Sequence, residues 1–150
     1  VDDLLVKLNE AGYTAIGYAD DVAILISGGF EEVLCYLMST AVRVVEEWCR
    51  GSGLSVNPDK TGLILFTRKR KCMPLRMPTL FGTQLELTNK VKYLGVILDS
   101  RLEWRDHIEE RTKKALKVFW QCRTTFGKKW GLKPSVLYWM YRSIVRPILI

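Results

Sequence analysis

The amino-acid sequence predicts an α+β fold, an antiparallel sheet with helices on one face, followed from about residue 100 by a helical segment. Three observations predict it. Apolar positions with a period near 3.6 alternate with short β-rich runs, in the order helix, two strands, helix, strands, helices. The composition, 48% hydrophobic and 26% charged over 150 residues, is that of a globular chain and excludes disorder, collagen and coiled coil. A chain of this length also buries roughly 68–70% of its unfolded surface, so it can hold a core without staples.

The elements follow in order. Leu4, Leu5 and Leu8 recur at helical spacing, and Gly12 closes that helix. Residues 13–18 and 22–26 are apolar runs separated only by Ala19, Asp20 and Asp21, which reads as a hairpin with an acidic turn. Gly28 and Gly29 break the pattern. Phe30, Val33, Leu34, Leu37, Met38, Ala41, Val44, Val45 and Trp48 then trace an amphipathic helix ended by Gly51 and Gly53. Residues 54–57 and 63–66 read as strands joined through Pro58, Asp59 and Lys60. Leu80-Phe81 and residues 85–87 flank Gly82-Thr83 as a second hairpin, and residues 91–98 form one further strand. Residues 103–126 form a long helix with a basic opposite face, and a last helix starts with Pro134 in its first turn.

Charge is distributed unevenly. The formal net charge is +7, made of −6 over residues 1–50, +5 over 51–100 and +8 over 101–150. An acidic first third beside a basic remainder is the asymmetry of a cation site next to a polyanion site; solvated helix faces are the plain alternative. Cys35, Cys49, Cys72 and Cys122 have no C-x-x-C spacing and His107 is the lone histidine, so neither zinc nor disulfides are predicted. Free cysteines at apolar helical positions point to a reducing, intracellular setting, nucleus or cytoplasm. No apolar run approaches the roughly 18 residues of a membrane span, so no membrane partner is expected. The N-terminus lacks the basic and apolar stretches of a signal peptide, and the abrupt ends suggest part of a longer chain.

The pair Asp20-Asp21 carries the chemistry. At a hairpin apex adjacent side chains diverge less than along a strand, so two carboxylates can approach one cation cluster. Hard carboxylate oxygens suit Mg²⁺, which keeps several waters and shares its shell with phosphates. Two such ions can activate an attacking hydroxyl and stabilise a leaving oxygen in phosphoryl transfer. Asp-Asp is also simply a good turn sequence, and the Asp2-Asp3 pair serves only a helix start.

The stretch Thr14-Ala15-Ile16-Gly17-Tyr18-Ala19-Asp20-Asp21-Val22-Ala23-Ile24-Leu25 resembles the metal-binding hairpin of reverse transcriptases. Gly53-Leu54-Ser55-Val56-Asn57-Pro58-Asp59-Lys60-Thr61 is similar to that family's lysine-bearing segment. Val91-Lys92-Tyr93-Leu94-Gly95-Val96-Ile97-Leu98-Asp99 is similar to its primer-grip region. The order and spacing most resemble reverse transcriptases of non-LTR, LINE-type retrotransposons, over nearly the whole chain. The resemblance implies a polymerase palm over residues 1–100, its C-terminal part, and the start of a helical thumb over residues 101–150. It implies templated nucleotidyl transfer from dNTPs to a primer 3′-hydroxyl, with an RNA template, a DNA primer and two Mg²⁺ or Mn²⁺ ions. Asp20 would ligate metal, with Asp21 a supporting carboxylate, and Lys60 would be a general acid, although a solvated turn lysine looks the same. Tyr18 and Ala19 would lie beneath the primer terminus, and Tyr93, Leu94 and Gly95 would form the primer grip.

The family also needs an upstream aspartate and a Gly-rich nucleotide-binding segment, which this sequence does not contain. The isolated 150 residues are therefore expected not to polymerise. Arg111, Lys113, Lys114, Lys117, Lys128 and Lys129 form the expected nucleic-acid backbone surface. Trp120 and Trp139 are expected in the core. Arg68, Lys69, Arg70 and Lys71 read as a further nucleic-acid patch or a solvated loop, with a localisation signal the last of the three readings. A non-catalytic nucleic-acid-binding remnant of a retroelement is the alternative reading, and a plain structural α+β domain is a third.

Overall fold

The structure, a computed structural model, describes residues 1–69, 76–125, 131 and 133–150. In chain order the elements are α1 (Asp2–Glu10), β1 (Thr14–Tyr18), β2 (Asp21–Leu25), α2 (Glu31–Ser52) and a 3-10 turn (Pro58–Lys60). Then come β3 (Thr79–Leu80), β4 (Thr83–Gln84), β5 (Lys90–Tyr93), β6 (Val96–Asp99) and α3 (Arg105–Thr125). Last are α4 (Pro134–Met140), a π-helical turn (Tyr141–Val145) and α5 (Arg146–Leu149). The class is α+β. The single antiparallel sheet expected from the sequence is absent among the described residues, which instead form three two-stranded antiparallel ribbons, β1–β2, β3–β4 and β5–β6.

The core is built by the two N-terminal helices. Leu4 and Leu8 of α1 meet Ala41, Val45 and Cys49 of α2, with Leu8 0% and Cys49 1% exposed. Ala15, Ile24 and Ile26 pack on this cluster from the β1–β2 side. A smaller cluster of Val42, Leu80 and Leu85 seats the β3–β4 ribbon on α2, and Val56 packs against both. Glu46 adds a polar clasp, its Oε1 accepting the Phe81 N–H at 2.6 Å. α2 runs through Gly51 and stops at Gly53, whose φ of 68° is the left-handed conformation a side chain resists.

Several strand expectations fail for identifiable reasons. Residues 54–57 leave the Gly53 cap and enter the turn capped by Asn57 without meeting a partner strand. Residues 63–66 lie along the later ribbons but pair only locally. Leu63 bridges Leu87, Thr88 N–H donates to the Leu63 carbonyl at 2.8 Å, and Thr67 N–H donates to that of Ser100 at 3.3 Å. The second hairpin forms, but its return strand is Thr83–Gln84 rather than residues 85–87. Residues 91–98 are not one strand: Leu94 (φ 48°) and Gly95 (φ 82°) fold them into the β5–β6 ribbon.

The C-terminal helices form where expected, but their aromatic residues do not reach a core. Trp120 is 51% and Trp139 is 63% exposed, against the expectation for both. α3 packs on α5 and on the π-helical turn, and neither tryptophan is covered by that contact. The widened turn immediately precedes the α5 segment containing Pro147, whose ring lacks an N–H and crowds the preceding turn. Arg70, Lys71, Cys72, Lys128, Lys129 and Trp130, and the Phe126 end of the expected long helix, lie outside the described residues.

Leu8 is the buried pin of the main core. Leu8→Ala is expected to cost about 3 kcal/mol, and Leu54→Ala, at an exposed position, less than about 0.5 kcal/mol. Denaturant midpoints for the two variants check this, and equal losses would contradict the placement of the core.

Candidate active site

The first ribbon pairs Thr14 with Leu25, Ala15 with Ile24, Ile16 with Ala23, Gly17 with Val22 and Tyr18 with Asp21. Alternate pairs share a face. The Ala15–Ile24 and Gly17–Val22 pairs take one face, and Ala15 and Ile24 pack on the core. At Gly17 an added Cβ would stand 2.9 Å from Leu5 Cδ1, so α1 lies directly over the ribbon. Asn9 of α1 fixes the same end, its Oδ1 accepting the Ala15 N–H at 3.2 Å.

The opposite face carries Tyr18 and Asp21, with Tyr18 66% exposed. Asp20 occupies the second position of the two-residue turn, after Ala19, whose φ of 51° is strained for a residue with a Cβ. Both aspartates are exposed, and among the described residues neither carboxylate has a hydrogen-bond or ion-pair partner. The turn therefore presents two adjacent, unneutralised carboxylates to solvent. Among the described residues no group of three His, Cys, Asp or Glu side chains is placed to share a metal ion.

Lys60 ends the 3-10 turn and is exposed. Asn57 organises that turn: its Oδ1 accepts the Asp59 N–H at 2.9 Å, and its carbonyl accepts the Lys60 N–H at 3.2 Å. In the third ribbon, Leu94 and Gly95 are the exposed turn, whereas Tyr93 faces inward. Its hydroxyl is buried and has no hydrogen-bond partner among the described residues.

α3 docks on this third ribbon through polar groups. Lys90 pairs with Asp106 at 2.7 Å and Lys92 with Glu110 at 3.2 Å. His107 Nδ1 accepts the Ile97 N–H at 3.3 Å, and Arg111 donates to the Gly95 carbonyl at 3.4 Å. Asp99 closes the connection. Its Oδ1 accepts the N–H groups of Arg101 and Glu103 at 3.0 Å, and its Oδ2 that of Trp104 at 3.0 Å. Leu102 and Trp104 both carry positive φ in that loop, so Asp99 holds a strained path from β6 into α3.

Asp99, Asp106 and Glu110 were not singled out from the sequence. Two signals were present. Lys90 and Lys92 share one side of a strand, while Asp106 and Glu110 share one side of a helix, four residues apart. The expected backbone-binding cations are placed unevenly. Lys113 and Lys114 are ion-paired to Glu109 and Glu110, and Arg111 is engaged at Gly95. Lys117 is exposed with no ion-pair partner among the described residues, and Arg123 stacks on Trp120 at 5.0 Å. Lys69 pairs with Glu31 at 3.4 Å, so the described part of the 68–71 stretch is anchored rather than wholly solvated.

The described residues thus form an α+β chain with an acidic hairpin turn, a capped lysine turn and a helix laid on a third ribbon. Sequence comparison gives the family. Residues 1–98 match "Reverse transcriptase (RNA-dependent DNA polymerase)", and the chain belongs to that family. It is 26% identical over 142 residues to the Retrovirus-related Pol polyprotein from type-1 retrotransposable element R1 of Nasonia vitripennis, covering 92% of this chain and 42% of that protein. The namesake protein of Bradysia coprophila is 26% identical over 144 residues, covering 96% of this chain and 14% of that protein. The RNA-directed DNA polymerase from mobile element jockey of Drosophila funebris is 34% identical over 92 residues, covering 61% of this chain and 10% of that protein. The chain thus spans less than half the length of each of these relatives. They are proteins of retrotransposable and mobile elements, in line with the resemblance to non-LTR reverse transcriptases. No solved structure matches the chain significantly. Among the described residues no helix is long and apolar enough to cross a membrane.

The docking of α3 is acid-sensitive. Hydrogen bonds from the Glu103, Trp104 and Arg101 N–H groups hold the Asp99 carboxyl below its ordinary 3.8. Those from Lys114 and Lys92 hold Glu110 down from 4.5 to about 2. Both folded-state values are depressed, so both contributions are complete above the unfolded values and are lost as pH falls through the folded ones. Amide protection at Glu103 and Trp104 is expected to fall as pH drops below the ordinary 3.8 of the Asp99 carboxyl, ahead of α2. In Asp99→Ala, which removes the accepting oxygens, the protection should be weak at every pH. Simultaneous loss at these amides and in α2 would contradict this, as would wild-type protection in Asp99→Ala.

Proposed function

We propose that the chain is part of an RNA-directed DNA polymerase, residues 1–100 serving as the C-terminal part of the palm and residues 101–150 as the start of the thumb. The reaction is transfer of a nucleotide from a dNTP to a primer 3′-hydroxyl, templated by RNA. The observation that supports it best is the β1–β2 turn: two unneutralised carboxylates at the tip of a clamped ribbon, in a chain of the reverse transcriptase family. Asp20 and Asp21 would hold divalent metal. Their donor chemistry fits Mg²⁺ or Mn²⁺, which accept one or two carboxylates and fill the remaining positions with water and substrate phosphate. Such ions, when bound, lower the charge on the reacting phosphate and on the oxygens that attack and leave.

The protein's own residues supply positioning. Tyr18, beside Asp21 on the open face, offers a surface for the primer terminus with Ala19. Lys60, exposed on its capped turn, is the proton donor toward the departing pyrophosphate. Leu94 and Gly95 hold the primer strand by their exposed turn, and Tyr93 supports that turn from inside. The basic side of α3 meets the phosphate backbone through Arg111, Lys113, Lys114 and Lys117, with Lys128 and Lys129 further along the chain. With two carboxylates rather than three, the 150 residues alone bind metal weakly and do not extend a primer.

Two measurements on the chain test this. Millimolar Mn²⁺ is expected to broaden the amide resonances of Asp20 and Asp21 first, and Asp20→Asn to abolish that selectivity; broadening indifferent to Asp20→Asn would refute the metal assignment. An RNA–DNA hybrid is expected to bind with affinity that falls steeply as salt rises, and Lys117→Ala to reduce the slope of log K against log salt by about 1. Salt-insensitive binding would refute the backbone surface. Hybrid binding without selective Mn²⁺ broadening would instead favour a non-catalytic nucleic-acid-binding remnant.

A further inference from the structure

We propose that Gly62 is a positioning residue that locks the Lys60 turn to the β5–β6 ribbon, so that the lysine and the primer-grip turn move as one body. The inference rests on the reading of Lys60 as the proton donor for its catalytic consequence, but the lock itself stands on packing.

The lysine turn is rigid from its own bonds. Asn57 accepts the Asp59 N–H at its side chain, and its carbonyl accepts both the Lys60 N–H and, at 2.9 Å, the Thr61 hydroxyl. The Thr61 N–H returns to the Pro58 carbonyl at 3.0 Å. Whatever fixes the next residue therefore fixes Lys60.

That residue is Gly62, and it is held by space. A Cβ added there would stand 2.8 Å from Val91 Cγ2 and 3.8 Å from Val91 Cβ, closer at the methyl than real Cβ contacts come. Its backbone lies outside the left-handed region, so glycine is not required by conformation. Gly17 makes a useful contrast. There the obstructing atom is the far end of the flexible Leu5 side chain, which can swing away. Val91 has far less room to do the same, because its methyls sit on a β-branched carbon of restricted χ1, one bond from the β5 backbone. Any side chain at residue 62 must therefore push the lysine segment off β5.

The residues after Gly62 tighten the seat. The Leu63 carbonyl accepts from both the N–H and, at 3.3 Å, the hydroxyl of Thr88, and Thr67 is bonded to Ser100. The segment is thus fastened at both flanks of β5–β6, and that ribbon in turn carries Leu94-Gly95 and the α3 contacts.

Gly62→Ala, Val91→Ala and the double variant test the lock. In the 150-residue chain, Gly62→Ala is expected to shift the amide resonances of Asp59, Lys60 and Thr61 together with those of Val91 and Lys92. Val91→Ala removes the methyl that the new Cβ meets, so the double variant should return the Lys60 and Thr61 resonances toward wild type. Unmoved Lys60 resonances in Gly62→Ala, or a double variant no nearer wild type than Gly62→Ala, would overturn the proposal. In a primer-extending protein that contains the chain, Gly62→Ala should lower kcat about tenfold with KM for dNTP little changed, and Val91→Ala should rescue it. Lys60→Ala is the separate control: undiminished extension there refutes the reading of Lys60 as proton donor, a result distinct from the resonance test of the lock.

Discussion

The placement of the acidic turn depends on one-sided burial of a two-stranded ribbon. Two strands alone are marginal in water and need a surface to lie on. α1 and α2 provide it: Leu4 and Leu8 against Ala41, Val45 and Cys49 make the floor, and Ala15 and Ile24 rest on it. Because strand side chains alternate, committing those two to the floor commits Tyr18, Ile16 and Asp21 to the opposite, open face. A one-residue slip would bury Asp21 and expose Ile24 and Ala15 instead, which gives the register a strong energetic preference. Asp20 needs no burial at all, since it lies in the turn.

The second half of the molecule is held by different physics. Where α1 and α2 meet through apolar side chains, α3 meets β5–β6 through Lys90–Asp106, Lys92–Glu110, His107 and the Asp99 carboxylate. Exposed ion pairs of this kind are screened by solvent and each adds little stability. Among the described residues of α3, Ala115 alone is buried. The N-terminal unit is thus fixed by burial, which salt hardly affects, and the C-terminal helix by contacts that salt and acid weaken. Under the proposed function, that division would give a rigid floor for chemistry beside a helix that can adjust to a duplex of variable shape.

The sequence carried the N-terminal half clearly. Leu4, Leu8, Ala41, Val45 and Cys49 announce a helical pair by period, and the Tyr18–Val22 interval announces a hairpin, because local pattern and tertiary contact agree there. It carried the middle poorly. Residues 63–66 have strand composition, but strand formation depends on a partner over their length, and among the described residues the ribbon bonds are made at Leu63 and Thr67. Leu94-Gly95 is weaker as a turn signal than Asn-Gly, so an apolar run through it resembled one strand. Trp120 and Trp139 were placed in a core by period alone, yet period shows which residues share a face and not whether anything covers it. For the proposed site, residue type is what singles out Asp20, Asp21 and Lys60. Gly62 and Asp99 became visible only in three dimensions, since one matters for the atom it lacks and the other for amides up to five residues away.

Net charge also changes meaning once partners are known. Residues 101–150 carry +8, which counts every lysine as available to a polyanion. In the structure Lys113 and Lys114 already face Glu109 and Glu110, and Glu110 is shared with Lys92. A phosphate backbone arriving at this side must compete with carboxylates four residues away on the same helix, exchanging one ion pair for another rather than neutralising free charge. Such exchange yields little affinity per lysine, and it frees carboxylates that also hold α3 to its ribbon. The acidic residues of α3 thus hold its docking and would also compete with the proposed nucleic-acid ligand. A duplex that engaged Lys114 would draw on the same Glu110 that fastens Lys92, which would link the proposed grip on nucleic acid to the attachment of the helix itself.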